Sequence, residues 1–257
     1  MKLHIDTNTT QLIAEIEGAA PIQLDLHSRG AFKLLSKVWI TQQWSQLHWQ
    51  SFSWFGFQLC QLPEDVLRLQ EALFRLQPDV IIETGINNGG STAFFASMCR
   101  LLGRGRVYSV DITIPAEVRL RLESGPFADL IRLFEADSAD PALLARLRTE
   151  IRPQEKVFVF LDSDHSKKHV LRELDAYADL VTPGSYIVAT DGVMESLVRT
   201  PYAAADWAEN NPAEAAREFV ARRSDFVIQR PECLFGEPYY LPELTYWPDA
   251  WLKRRDA

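Results

Sequence analysis

Residues 80–91 read Val80-Ile81-Ile82-Glu83-Thr84-Gly85-Ile86-Asn87-Asn88-Gly89-Gly90-Ser91. A β-branched apolar run ends in an acid, a glycine-bearing loop follows, and a helical pattern takes over from Thr92 to Leu102. That succession predicts a buried parallel strand turning tightly into a helix. Such a turn offers free backbone N–H groups at a helix N-terminus to a ligand. A phosphate would be repelled by the acid at the strand end. A ligand carrying an ammonium group would be attracted by it.

Outward from this stretch, strand and helix patterns alternate. Strands are predicted at 80–84, 107–112, 131–135, 157–161, 186–189 and 226–229. Helices are predicted at 63–76, 92–102, 115–123, 141–148, 167–181 and 212–222. This order implies an α/β fold with a doubly wound, Rossmann-like, mostly parallel sheet, in which ligands sit at the carboxyl ends of the strands. Residues 1–62 are expected to form an N-terminal extension and 63–257 the main domain. The extension opens with a small β element. It continues with an aromatic-rich segment holding Trp39, Trp44, Trp49, Phe52, Trp54, Phe55 and Phe57. Such a segment suits a packing layer over the main domain, or a wall for a sugar or ring substrate. It also suits an interface in a homo-oligomer.

Composition narrows the function. A length of 257 residues fits one such domain with an extension, and 47% hydrophobic residues supply a large core. The net charge of -8 argues against a general nucleic-acid binder. The three cysteines form no C-x-x-C pair or metal-ligand spacing, which suits a reducing compartment. No secretory leader pattern and no bilayer-length apolar run are present. A soluble cytoplasmic protein without a membrane span is expected.

Each of the first five predicted strands delivers polar residues to one rim: Glu83, Asp111, the run Glu135-Ala136-Asp137-Ser138, Asp162 and Asp191. An acid after the second strand of a nucleotide-binding sheet typically bonds ribose hydroxyls, which is the reading of Asp111; a helix cap is the alternative. The first loop, Glu-x-Gly-x-x-x-Gly-Gly-Ser, departs from the dinucleotide pattern G-x-G-x-x-G. S-adenosylmethionine, with an ammonium, a carboxylate, a ribose and an adenine but no phosphate, matches it better. Glu83 would face the ammonium. The N–H groups near Gly89 and Gly90, with Ser91, would face the carboxylate. Asp111 would take the ribose, and Asp137 or Ser138 the adenine edge.

A second signal is Val157-Phe158-Val159-Phe160-Leu161-Asp162-Ser163-Asp164-His165-Ser166. Asp162 and Asp191 close adjacent predicted strands, and two neighbouring carboxylates repel unless a cation lies between them. A hard divalent ion with oxygen ligands, such as Mg²⁺, fits. His165, three residues past Asp162, reaches the same pocket as a general base. Asp164 and Ser166 read equally as caps of the helix that follows, and His169 reads as structural.

These blocks, together with Val181-Thr182-Pro183-Gly184-Ser185-Tyr186-Ile187-Val188 and the closing Leu244-Thr245-Tyr246-Trp247, resemble the cephalosporin hydroxylase family, which includes rhamnosyl O-methyltransferases. The resemblance implies a class I methyltransferase fold and a metal-dependent O-methyltransferase whose small-molecule acceptor is a sugar hydroxyl. The site also resembles the catechol O-methyltransferase type. That likeness implies cofactor contacts at Glu83, Gly85, Gly89, Ser91, Asp111 and Ser138, metal ligands at Asp162 and Asp191, and His165 as the base. The chain departs from the pattern twice. The family often carries Glu-Asp at the end of the fifth strand, where Thr190-Asp191 stands here, and catechol-type enzymes place an asparagine where Gly192 stands. Water, Asp164 or Glu195 are the alternatives for the missing ligand. Two rival functions remain: a non-catalytic cofactor-binding partner of a biosynthetic enzyme, and an iron-dependent hydroxylase.

Overall fold

Val80, Ile81 and Ile82 have no exposed surface, and they divide between the two faces of their strand. Val80 and Ile82 enter one apolar cluster and Ile81 another. A strand buried on both faces needs a covering layer on each side, which parallel strands with crossover helices provide. The computed structural model, which describes residues 1–256, has this architecture.

The extension holds β1 (Lys2–Asp6), β2 (Gln11–Glu15), β3 (Ile22–Asp25), α1 (Arg29–Ser45), β4 (Ser53–Trp54) and β5 (Phe57–Gln58). The sheet and its helices follow: α2 (Pro63–Leu76), β6 (Val80–Thr84), α3 (Gly90–Leu102), β7 (Arg106–Asp111), α4 (Ala116–Ser124), β8 (Ile131–Glu135) and α5 (Pro141–Glu150). The chain finishes with β9 (Val157–Leu161), α6 (Lys167–Tyr177), β10 (Tyr186–Ala189), α7 (Pro212–Arg222), β11 (Phe226–Ile228) and β12 (Trp251–Arg254).

The seven-stranded sheet runs in the order β11-β12-β10-β9-β6-β7-β8. Strands β6 to β10 pair in parallel. β12 runs antiparallel between β10 and β11. The chain winds outward from β6 to β8 and then returns to lay β9 on the other side of β6. The crevice at the carboxyl ends of β6 and β9 is therefore the topological switch point, where open α/β sheets bind ligands.

Two elements differ from the sequence reading. The α-helix after Lys167 ends at Tyr177 and tightens into a 3-10 turn over Ala178–Leu180 before Val181 becomes extended. β12 was not anticipated as a strand. Its four residues gain their pairing from β10 and β11 rather than from a pattern of their own.

β1, β2 and β3 form a meander that shares a small core with α1 through Leu12, Ala14 and Ala31. Further along the extension, Ile40, Trp44, Leu59 and Leu62 enter the same core as Phe95 of α3 and Phe160 of β9. Trp44 packs against Trp49, Trp207 and Tyr246 at ring-centroid distances of 5.6, 5.8 and 5.5 Å. Trp54 Nε1 donates to Ser97 Oγ at 2.9 Å. These tryptophans act as a packing layer, whereas Trp39 and Phe55 face outward. Among the described residues no helix is long and apolar enough to cross a membrane.

Candidate active site

The loop after β6 lies against the end of β9. Gly85 holds φ +86°, and a Cβ there would sit 2.1 Å from the Asp162 carbonyl oxygen. Asp162 N donates to Thr84 O at 2.9 Å. The glycine is required twice, by its left-handed backbone and by this contact. A Cβ on Gly90 would meet the Gln58 carbonyl at 2.2 Å, so the extension is pressed onto the start of α3. Gly89 precedes α3 without any side-chain cap, and Ser91, half-buried, lies in the first turn. That turn leaves N–H groups free for an anion.

Glu83 lies beneath the loop with no exposed surface. Its Oε2 accepts from Thr92 Oγ1 and Ser109 Oγ, both at 2.6 Å, while Oε1 is buried without a partner. Burial raises its carboxyl above the ordinary range, against the pull of the Ser109, Ser91 and Thr92 hydroxyls. Only Oε1 is left for an ammonium. Asp111, half-buried at the end of β7, accepts through Oδ2 from the N–H groups of Ile86 at 2.7 Å and Asn87 at 3.2 Å. It thus fastens the glycine loop to the end of β7.

The adenine-side residues divide. Asp137 accepts from Ala139 N at 2.9 Å and Arg172 Nη2 at 3.1 Å, and these donors hold its carboxyl below the usual range. It is engaged in its own turn. Ser138 is buried, its Oγ 3.3 Å from His169 Nε2 and its carbonyl accepting from Tyr177 Oη at 2.6 Å.

At the ends of β9 and β10 the structure brings Asp162, His165 and Asp191 together, with one ligand atom of each within 4.8 Å of the others. His165 Nε2 is 3.5 Å from Asp191 Oδ2. Asp191 adopts φ +57°, uncommon for a residue with a side chain. Burial and then the neighbouring Asp191 push the Asp162 carboxyl far above its ordinary range, and burial raises Asp191 as well. Two acids that resist ionisation side by side are what a divalent cation relieves.

Both oxygens of Asp162 are also held by protein donors that lack charge. Thr190 Oγ1 donates to Oδ1, and Gln61 Nε2 donates to Oδ2 at 2.8 Å. Cys60 lies close enough that burial, Asp162 and Asp191 together push its thiol up to about 11, which keeps it protonated.

The structure also disposes of two alternatives for the missing ligand. Asp164 accepts from Ser166 N at 2.8 Å, and Glu195 pairs with Arg217 at 2.8 Å. Neither belongs to the acidic group. A Cβ on Gly192 would lie 2.5 Å from the Pro248 carbonyl, so the closing segment leaves no room for an asparagine there. His169 bonds Ser138, Ser163 and Glu173 and does not share a site with His165. Gln61 escaped the sequence reading, since a polar residue beside Leu62 carries no motif and its partner is 101 positions away.

A profile of the Rhamnosyl O-methyltransferase/CmcI family matches residues 46–255. The rhamnosyl O-methyltransferase of Mycobacterium leprae (strain TN) is 35% identical over 147 residues, covering 56% of this chain and 61% of the relative. Its counterpart in Mycobacterium tuberculosis (strain ATCC 25618 / H37Rv) is 34% identical over 153 residues, covering 58% and 60%. The match thus spans about three fifths of the relatives' length. Among solved structures, CmcI-N160 in its apo form aligns with TM-score 0.56 and 21% identity over 81% of this chain and 78% of that one. The structure described as cmcI-D160 Mg-SAM aligns with TM-score 0.51 and 20% identity over 80% and 77%. These likenesses carry the Rossmann-like fold. By the extent of the profile match, the chain belongs to the Rhamnosyl O-methyltransferase/CmcI family.

Proposed function

We propose that this chain transfers the methyl group of S-adenosylmethionine to a hydroxyl of a sugar or glycosylated small molecule, with a divalent cation, Mg²⁺, at Asp162 and Asp191. The observation that carries the reading is the contact between the two halves of the site. The glycine loop that suits the cofactor is packed, at Gly85, on the backbone of Asp162, which belongs to the acidic cluster. The sugar acceptor is supported by the rhamnosyl O-methyltransferase relatives.

In this reading residues 63–257 form the catalytic domain, and the extension 1–62 supplies Gly90's packing partner and Gln61. Glu83 Oε1 receives the cofactor ammonium, the first turn of α3 around Gly89, Gly90 and Ser91 its carboxylate, Asp111 its ribose and Ser138 its adenine side. Asp137 remains a turn acid engaged with Ala139 N and Arg172. The bound cation would supply a Lewis acid that makes an acceptor hydroxyl more acidic. His165 takes the hydroxyl proton at Nε2, and Asp191, 3.5 Å away, stabilises the imidazolium that results. Holding donor and acceptor in one crevice supplies the proximity that a methyl displacement needs. As the O–CH3 bond forms and the S–CH3 bond breaks, the sulfonium leaves as a neutral thioether, so no acid is required on the donor side.

The test separates the two halves. Asp162→Ala should abolish methyl transfer while S-adenosylmethionine binding, followed by calorimetry, persists. Loss of cofactor binding in the same variant would make Asp162 a structural residue and remove this reading.

A further inference from the structure

We infer that Gln61 is a positioning residue of the cation centre, holding the Asp162 carboxylate in the orientation that the cation would use. The inference rests on the divalent-cation reading above and adds to it a residue from outside the sheet.

Gln61 is 4% exposed. Its Nε2 donates to Asp162 Oδ2 at 2.8 Å, and its Oε1 is buried without a partner. A buried amide oxygen with nothing to accept from is costly, and native structures usually satisfy such a group with protein, water or an ion. Covalent geometry keeps that oxygen on the same amide as Nε2, the atom that holds Asp162 Oδ2. Mg²⁺ keeps several waters when few carboxylates bind it. Such waters would be strong donors, and Gln61 Oε1 would be an acceptor for one if the segment opens to admit it. What the amide does directly is aim Asp162 through Nε2.

The local packing limits which other side chains could hold Asp162. The Pro248 carbonyl excludes a side chain at position 192, and Thr190 spends its hydroxyl on Asp162 Oδ1 and the Leu161 carbonyl. The donor that holds Asp162 Oδ2 comes from outside these two strand ends. Gln61 is delivered by the segment between β5 and α2, which is held against the site through Leu59 and Leu62 in the main core.

The experiment is titration of the full chain with Mn²⁺, read by electron paramagnetic resonance of the free ion and by calorimetry. Gln61→Leu should bind Mn²⁺ about 10- to 100-fold more weakly than the wild type, the usual effect of removing a group that orients a metal ligand. Gln61→Glu replaces the donor to Asp162 with a third acid. It should melt below the wild type in chelator, and saturating Mn²⁺ should close most of that gap. A merely structural role for Gln61 would leave the Mn²⁺ affinity of Gln61→Leu unchanged and the Gln61→Glu deficit uncorrected by Mn²⁺. Wild-type Mn²⁺ affinity in folded Gln61→Leu overturns the inference. If Gln61→Leu does not fold, a Gln61→Glu deficit that Mn²⁺ leaves unchanged overturns it instead. A wild-type protein that binds no Mn²⁺ at all removes the cation reading and this inference together, so the two failures are distinguishable.

Discussion

Gly85 and Asp162 meet so closely that a methyl group on the Gly85 Cα would sit 2.1 Å from the Asp162 carbonyl oxygen. The contact joins the ends of β6 and β9 at the point where the sheet order reverses. One glycine therefore sets the distance between the cofactor loop and the acidic pair. Gly85→Ala must distort both, because its φ of +86° is also unfavourable for alanine. We expect a folded-state loss of about 1–3 kcal/mol, with weaker binding of S-adenosylmethionine and of Mn²⁺ in parallel. Thermal melting and two calorimetric titrations check this, and an unaffected Mn²⁺ titration would separate the two halves of the site.

Glu83 divides its carboxylate between structure and ligand. Oε2 is held by Thr92 and Ser109, and Oε1 has no partner. Glu83→Gln keeps the shape and removes the charge. If Oε1 meets the cofactor ammonium, this change should weaken S-adenosylmethionine binding by about 10- to 100-fold, the scale of one hydrogen bond to a charged group. Unchanged affinity in calorimetry would leave Glu83 as a wholly structural acid.

Asp65, at the start of α2, is buried and accepts from Thr245 Oγ1 and from Tyr246 N at 2.7 Å. Burial pushes its carboxyl up to about 8 from 3.8. Between those values the folded chain holds a proton that the unfolded chain releases, so stability must fall as pH rises through about 8. Asp162 and Asp191 are raised too and add in the same direction. In chelator, the melting temperature should therefore drop between about pH 5 and pH 8.5. Asp65→Asn should flatten part of that drop, and added Mn²⁺ should offset the share of Asp162 and Asp191. A melting temperature that rises across the same interval in chelator would contradict the sign.

The apolar strands could be read from the sequence because each of β6 and β9 is a short β-branched or aromatic run with an acid just beyond or at its end. The rim acids Asp111, Asp162 and Asp191 were visible for the same reason. β12 was not, since Trp251-Leu252-Lys253-Arg254 has no turn signal of its own and is recruited by two partners distant in sequence. The full burial of Glu83 was also hidden. An acid closing a strand reads as a rim residue, and the hydroxyls that bury it come from α3 and β7. Gln61 depends on a contact across 101 positions that no local pattern encodes.

His165 faces Asp191 across 3.5 Å and is the nearest imidazole to the acidic pair. If it is the base, His165→Ala should lower kcat by about 10²- to 10⁴-fold while the affinity for S-adenosylmethionine and for Mn²⁺ stays near that of the wild type. A fall in Mn²⁺ affinity as large as the fall in kcat would reassign His165 as a metal ligand.

The central claim is that the loop after β6 and the acids after β9 and β10 form one methyl-transfer centre. Its most direct test is mass-spectrometric measurement of S-adenosylhomocysteine and methylated product, using the purified chain, S-adenosylmethionine and a rhamnoside with vicinal hydroxyls, with Mg²⁺ or with chelator. We predict equimolar S-adenosylhomocysteine and product carrying one added methyl group in Mg²⁺, and neither in chelator. Bound S-adenosylmethionine that is never consumed with any glycoside acceptor, with Mg²⁺ present, would contradict the account.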